Sequence, residues 1–276
     1  MNNTKKVVLV MALILGFIVT VKAEVITIFD SNSTISGGSY DTVVIKGDGT
    51  VVDMTGGDVN AVITMNASTF NISGGNVGAG GHYTWTYDSS ILNLSGGTFY
   101  QIRGHGQSEV YLSGNATQSD FGSSLISDYA SVTISGNAVS RFEIRGNGKA
   151  YVTGGNTRVY IREGSPVINI SGGTVECLSN NSGGAFNGVI NVIGYNLNAV
   201  PYGGDWRMGE VTGYWNDDTP FSFKLSNGVY SYVKLYDGVI PPNCTYKPES
   251  DLSGDCIVNF IDFSKMANEW LDDGTQ

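Results

Sequence analysis

The sequence is poor in charge, in proline and in cysteine. Of its 276 residues 14% are charged, 6 are proline and 3 are cysteine, whereas ordinary soluble domains carry about 25% charge. A chain so weakly charged and 41% hydrophobic is not intrinsically disordered. With few prolines and no three-residue glycine period, it is not collagen-like either. Positive charge is the scarcer sign: 15 Lys and Arg stand against 25 Asp and Glu, a net of -10. A polyphosphate backbone would meet repulsion, so no nucleic-acid partner is expected. The two histidines, His82 and His105, read as loop residues. The Gly-rich arms around His105 lack the following helix that a phosphate loop needs. What the chain does have is glycine, 38 residues, nearly twice the usual share. That composition predicts an ordered, turn-rich fold with few helices.

Lys5 and Lys6 precede an apolar run from Val7 to Val19, and Val21-Lys22-Ala23 offers small residues where a signal peptidase reads. The run is 13 residues long, short of the roughly 20 needed to span a bilayer. Residues 1-23 are therefore expected to be a signal peptide, leaving a secreted, extracellular or cell-surface protein with no stable membrane span. Losing Lys5, Lys6 and Lys22 would make the remainder more acidic still. Export permits disulfides. Cys244 and Cys256 flank the start of an acidic loop and form the expected pair, leaving Cys177, in a strand pattern, as a small buried apolar residue rather than a nucleophile.

An internal repeat defines the body of the chain. Val52-Asp53-Met54-Thr55-Gly56-Gly57 recurs as Phe70-Asn71-Ile72-Ser73-Gly74-Gly75 and Leu92-Asn93-Leu94-Ser95-Gly96-Gly97. It recurs again at Val110 to Asn115, Val132 to Asn137, Ala150 to Gly155 and Ile168 to Gly173, with a shorter first copy at Ile35 to Gly38. The leading glycines step by 19, 18, 22, 18, 22, 18 and 18 residues. Each string alternates apolar and polar, the period of a strand with one buried face. The Gly-Gly or Gly-Asn step allows a corner at positive φ. A second strand signal lies half a repeat earlier, in Val44-Ile45-Lys46, Ile102-Arg103-Gly104, Ile144-Arg145-Gly146 and Ile161-Arg162-Glu163. Units this small cannot close a core singly, but stacked in parallel they bury a continuous one.

The expected fold is thus all-β, a right-handed parallel β-helix of about eight or nine coils over residues 24-194, with a β-rich capping segment at 195-240. Met54, Ile72, Leu94, Leu112, Ile134, Val152 and Ile170 should form one core column, flanked inside by Val52, Phe70, Leu92, Val110, Val132, Ala150 and Ile168. Asp53, Asn71, Asn93, Tyr111, Thr133, Tyr151 and Asn169 should face outward. With its aromatic closing segment the chain resembles exported bacterial β-helix repeat proteins.

Pro241-Pro242 ends the strand pattern and opens a module at 241-276. In Asp251 to Asp262, oxygen side chains fall at loop positions 1, 3, 5, 9 and 12: Asp251, Ser253, Asp255, Asn259 and Asp262. Ile257 at position 7 can offer a backbone carbonyl, completing the spacing of a twelve-residue Ca2+ loop of hard oxygen donors. Phe263, Met266, Ala267, Trp270 and Leu271 follow as one apolar helical stripe. The loop resembles a type I dockerin repeat, in which Asp replaces the EF-hand Glu at position 12. The resemblance implies that these residues hold Ca2+. It places Phe260 and Ile261 where dockerins select a partner, a cohesin-like scaffold. One repeat is present where the family carries two, and Cys256 stands where glycine is usual. Self-association through this module is the alternative to a cohesin.

Parallel β-helices carry polysaccharide lyases and hydrolases, yet fold alone does not assign function. A hydrolase needs two facing carboxylates and a lyase a base beside a neutralised carboxylate. No repeated Asp or Glu ladder supplies either. Lys46, Arg103, Arg145 and Arg162 read as equivalent positions of the second strand. With His105, Tyr111 and Tyr151 they would form a glycan-binding cleft, Arg103, Tyr111, Arg145, Tyr151 and Arg162 being its candidate residues. The expected function is non-catalytic binding of a polysaccharide or cell-surface glycan, or adhesion. A polysaccharide lyase or glycoside hydrolase attached through the dockerin-like tail is the alternative.

Overall fold

Each repeat string folds as one strand of a ladder. Val51–Met54, Thr69–Ile72, Ile91–Leu94, Glu109–Leu112 and Ser131–Ile134 pair in parallel, in sequence order. The ladder runs on into the first residues of Lys149–Gly164, Val167–Asn180 and Val189–Tyr202. The computed structural model describes residues 5–9, 24–119, 122–180, 187–202 and 205–237. Over these residues the protein is an all-β parallel solenoid of about eight turns. Ile72, Leu94 and Leu112 follow one another in register and are buried, as are Phe70, Leu92 and Val110 beside them. Asn71, Asn93 and Tyr111 point outward between them, as period-two alternation requires.

Each coil has three strand positions, one more than the two signals that the sequence displays. The repeat strands form a front face. Two-residue strands such as Asn76–Val77 and Thr98–Phe99 form a narrow side face. Tyr83–Thr86, Gln101–Gly104, Ser124–Ile126 and part of Val139–Gly146 form a back face. Phe99, Phe142, Ile102 and Ile126 fill the interior from the side and back.

The corners explain the glycines. Between front and side faces, Gly57, Gly75 and Gly97 have φ of 96°, 87° and 76°, the left-handed region that side chains disfavour. At the back-to-front corner Asn66, Asp88, Gly106, Asp128 and Gly146 all have positive φ, and Asn and Asp tolerate that region best among residues with a side chain. The Asp88 carboxylate also accepts the Asn66 backbone N–H at 3.0 Å, and Asp128 that of Gly106 at 3.2 Å. Each thus ties its coil to the preceding one.

Parallel pairing does not stop at Gly194. Val189–Tyr202 and Asp205–Tyr214 form an antiparallel hairpin, and Pro220–Ser226 pairs antiparallel with the second of these while lying parallel on Cys177 to Ser179. Val233–Asp237 then stacks on Ile190 to Gly194 in the front face. The segment therefore adds a further part-coil besides its hairpin. Trp215 is buried there, donating from Nε1 to the Gly173 carbonyl at 3.0 Å and stacking on Phe221. Cys177, expected to be inward, lies in the outward column with Arg158. It is half-buried, with Sγ 3.8 Å from Ser226 Oγ of the last back-face strand. At the other end, Lys5–Leu9 pairs antiparallel with Glu24–Phe29, while most of the expected leader lies outside the described residues.

Candidate binding faces

Outward positions of the front face divide into two kinds. Where Asn recurs on consecutive coils, the side chains bond to one another: Asn71 donates to Asp53 and Asn93 to Asn71, both at 2.8 Å, and Asn191 donates to Asn169 at 2.8 Å. These ladders spend their hydrogen-bonding capacity on neighbouring coils, a cross-strand stabilisation. The second kind is tyrosine. Tyr111 and Tyr151 lie on either side of Thr133, on alternate coils, about 10 Å apart at two strand spacings. They are 39% and 37% exposed, and Tyr129 at the neighbouring corner is 64% exposed. With Gln107, Glu109, Ser131 and Lys149 they line an open groove of about 480 Å³. Tyr111 donates its hydroxyl to Glu109 Oε2 at 2.5 Å, which fixes its ring. That bond, with partial burial, raises the Tyr111 pKa above the ordinary tyrosine value.

The back face holds the arginines. Pairing sets Arg103 opposite Leu125 and Leu125 opposite Glu143, and aligns Ile144 with Ile161. Arg145 and Arg162 follow those isoleucines on neighbouring coils, and both reach Glu143. The Glu143 carboxylate is nearly buried; Arg162 Nε stands 3.1 Å from its Oε2, at an angle that makes no hydrogen bond. Arg141 lies opposite Arg158, and Arg158 pairs with Glu176. Arg103 is held by Gln101, at 3.0 Å, and by the Tyr83 ring, 4.6 Å from its guanidinium carbon, a cation–π contact.

Two expectations change here. Arg103 is not equivalent to Arg145 and Arg162. It belongs to the column of Trp85, Leu125 and Glu143, two residues earlier in the coil. Nor do the five candidate glycan-binding residues share a cleft. Tyr111 and Tyr151 are on the front face, and Arg103, Arg145 and Arg162 on the back. The corner that carries Gln107 and Tyr129 separates them. The calcium loop from Asp251 to Asp262, the Cys244–Cys256 pair and the helix beyond them lie outside the described residues.

An aromatic cluster on the back face was not anticipated. Trp85 stacks with Tyr87 and His105, at centroid distances of 5.8 and 5.6 Å, and Tyr83 packs edge-on to Trp85. The string Tyr83-Thr84-Trp85-Thr86-Tyr87 carried the signal: aromatics at every second residue share one face of a strand. His105 Nδ1 is 2.8 Å from Ser127 Oγ and 3.5 Å from Asp128 Oδ2. A nucleophile–base–acid relay needs its serine and its carboxylate on opposite ring nitrogens. Here both meet the same one, and Nε2 is buried without a partner among the described residues. The arrangement fixes a ring; it does not build a triad. Among the described residues no cluster of three His, Cys, Asp or Glu could hold a metal ion.

Compared with known proteins, the chain matches no family model and shows no significant similarity to a curated protein or to a solved structure, so the two faces are read from their own chemistry.

Proposed function

We propose that this is an exported, non-catalytic binding protein of the cell surface or extracellular space, whose ligand is a glycan seated between Tyr111 and Tyr151. The carrying observation is the groove itself: two exposed tyrosines across two coils with a threonine between them, rimmed by Glu109, Gln107 and Lys149. Sugar rings present apolar C–H faces and a hydroxyl rim. Tyrosine offers a rigid apolar plane with a polar tip at low entropic cost. The solenoid holds both rings on alternate rungs of one sheet, so little ordering remains for binding to supply.

The carboxyl-terminal module would tether this rod through Ca2+ to a cohesin-like scaffold or to a second copy. The spacing of Asp251, Ser253, Asp255, Ile257, Asn259 and Asp262 supports that reading. Calorimetry on the full chain is expected to give a Ca2+-binding heat that Asp251→Ala with Asp255→Ala abolishes; equal heats from both proteins would remove the metal from the reading.

A glycan array followed by a reducing-end assay tests the main claim. Hits are expected without new chain ends. Tyr111→Ala with Tyr151→Ala should weaken each hit by roughly a hundredfold, two rings at about 1.4 kcal/mol each, with the melting temperature little changed. Release of chain ends from any hit would instead support the lyase or hydrolase alternative.

A further inference from the structure

Five of the six arginines in a chain of net charge -10 lie on a single face. Arg103, Arg141, Arg145, Arg158 and Arg162 all project from the back face, and Lys224 joins the column of Arg141, Arg158 and Cys177 on the last described coil. Among the described residues Glu143 engages both Arg145 and Arg162, and Glu176 engages Arg158, so two carboxylates serve three guanidinium groups. Its position is not explained by the core, which is apolar behind it: Phe142, Ile144, Val159 and Ile161 are fully buried. Glu143 holds Arg145 and Arg162 side by side, and each guanidinium has five donors of which one carboxylate can use only some. The arrangement presents planar forks, which match carboxylates in pairs of parallel hydrogen bonds.

The same face carries an apolar element on an adjoining stretch. Tyr83, Trp85, Tyr87 and His105 lie on the two coils that end at Arg103, with Arg103 resting on Tyr83. From the coil of Trp85 to that of Arg158 is four strand spacings, about 19 Å, enough for several sugar units laid along the solenoid axis. We propose that the back face binds a carboxylated polysaccharide. Arg103 and Arg158 contact its carboxylates, Glu143 positions Arg145 and Arg162 beside them, and the Tyr83–Trp85 edge packs on a sugar ring. A nucleic acid fits less well, because its denser charge would feel the repulsion of the acidic remainder. The inference rests on the glycan reading above only in taking a polysaccharide as ligand; it concerns a different face.

The test titrates the full chain with de-esterified polygalacturonate, with a neutral polysaccharide found on the array, and with a single-stranded oligonucleotide. Polygalacturonate is expected to bind, to weaken as NaCl is raised, and to lose about tenfold or more in Arg103→Gln with Arg158→Gln. Both residues are part-exposed, and the matched Arg103→Lys with Arg158→Lys variant, which keeps charge and removes the fork, should fall between. The Tyr111→Ala, Tyr151→Ala variant should leave polygalacturonate binding unchanged while losing the neutral ligand. Polygalacturonate affinity that ignores salt or the Arg103 and Arg158 changes overturns this inference and leaves the front-face reading standing. Equal binding of the oligonucleotide overturns it in favour of a general polyanion site. Failure to bind any polysaccharide, neutral or acidic, ends both.

Discussion

Gly75→Val is expected to abolish the cooperative fold, or to lower the melting temperature far more than a change at an open corner. Two costs act together. At φ of 87° a residue with a side chain sits in the left-handed region, at about 1–2 kcal/mol, and a β-branched one is worse off. The larger cost is space. A Cβ on Gly75 would lie 2.4 Å from the Gly57 carbonyl oxygen and 2.7 Å from Met54 Cε. The methionine can move; the carbonyl cannot, because it accepts the Asn76 N–H at 2.9 Å as a rung of the ladder. Relief would require the two coils to part. The combined loss should exceed about 4 kcal/mol, a large share of the 5–15 kcal/mol that typical domains possess. Gly49→Ala separates the terms, since Gly49 has φ of 76° but nothing within 4 Å of an added Cβ. It should cost only about 1–2 kcal/mol. Gly37→Ala, with open space and no positive φ, should be neutral or slightly stabilising. Thermal denaturation followed by circular dichroism ranks the three; a Gly75→Val protein melting with Gly49→Ala would refute close packing of the glycine column.

The front face was legible because each of its strings repeats both pattern and spacing, so alternation alone separates Asn71 from Phe70 and Ile72. The side face was not. A strand of two residues, such as Thr98–Phe99, shows no period, and only its buried Phe99 hints at it. The back face was legible in kind and misread in register. Ile102-Arg103-Gly104 and Ile144-Arg145-Gly146 look alike, yet the structure slides one against the other by two residues. Thr64, Thr86, Gly104, Ile126 and Ile144 each lie five residues before a front strand, which begins at Thr69, Ile91, Glu109, Ser131 and Lys149. The corner between the faces has a fixed length, so counting back from the front strand sets the register that string resemblance does not. By that count Arg103 falls with Trp85 and Glu143, and the split of candidate residues between two faces follows. Buried hydroxyls were missed for a similar reason. Thr64 and Thr86 occupy inward positions but pair with Ser90 and Ser108 at 3.2 and 3.0 Å, satisfying polar groups that a pattern of apolar residues would have excluded.

Phe142→Ala carries the second large effect and links the core to the arginine face. Phe142 is fully buried, between Ser124 on one coil and Val159 on the next. Ser124 cannot expand into the space, because its Oγ accepts the Ile102 backbone N–H at 2.9 Å, and the backbone on both sides is fixed by ladder pairing. A cavity should therefore persist, placing the loss in the upper part of the roughly 3–5 kcal/mol range for Phe→Ala. Phe142→Leu, which retains most of the volume, should cost about 1–2 kcal/mol. Urea denaturation of the full chain measures both, and near-equal midpoints would mean that the interior collapses around the missing ring. Phe142 also separates Arg141 from Glu143 on its own strand. A slack core there loosens the outward residues on either side, and with them the pair that Glu143 makes with Arg145 and Arg162. Preorganised forks lose affinity when they must be ordered on binding. Polygalacturonate binding by Phe142→Ala should thus fall under conditions where the protein is still folded, while neutral-glycan binding at Tyr111 and Tyr151, backed by Val110, Leu112, Ala150 and Val152 of the front face, should hold.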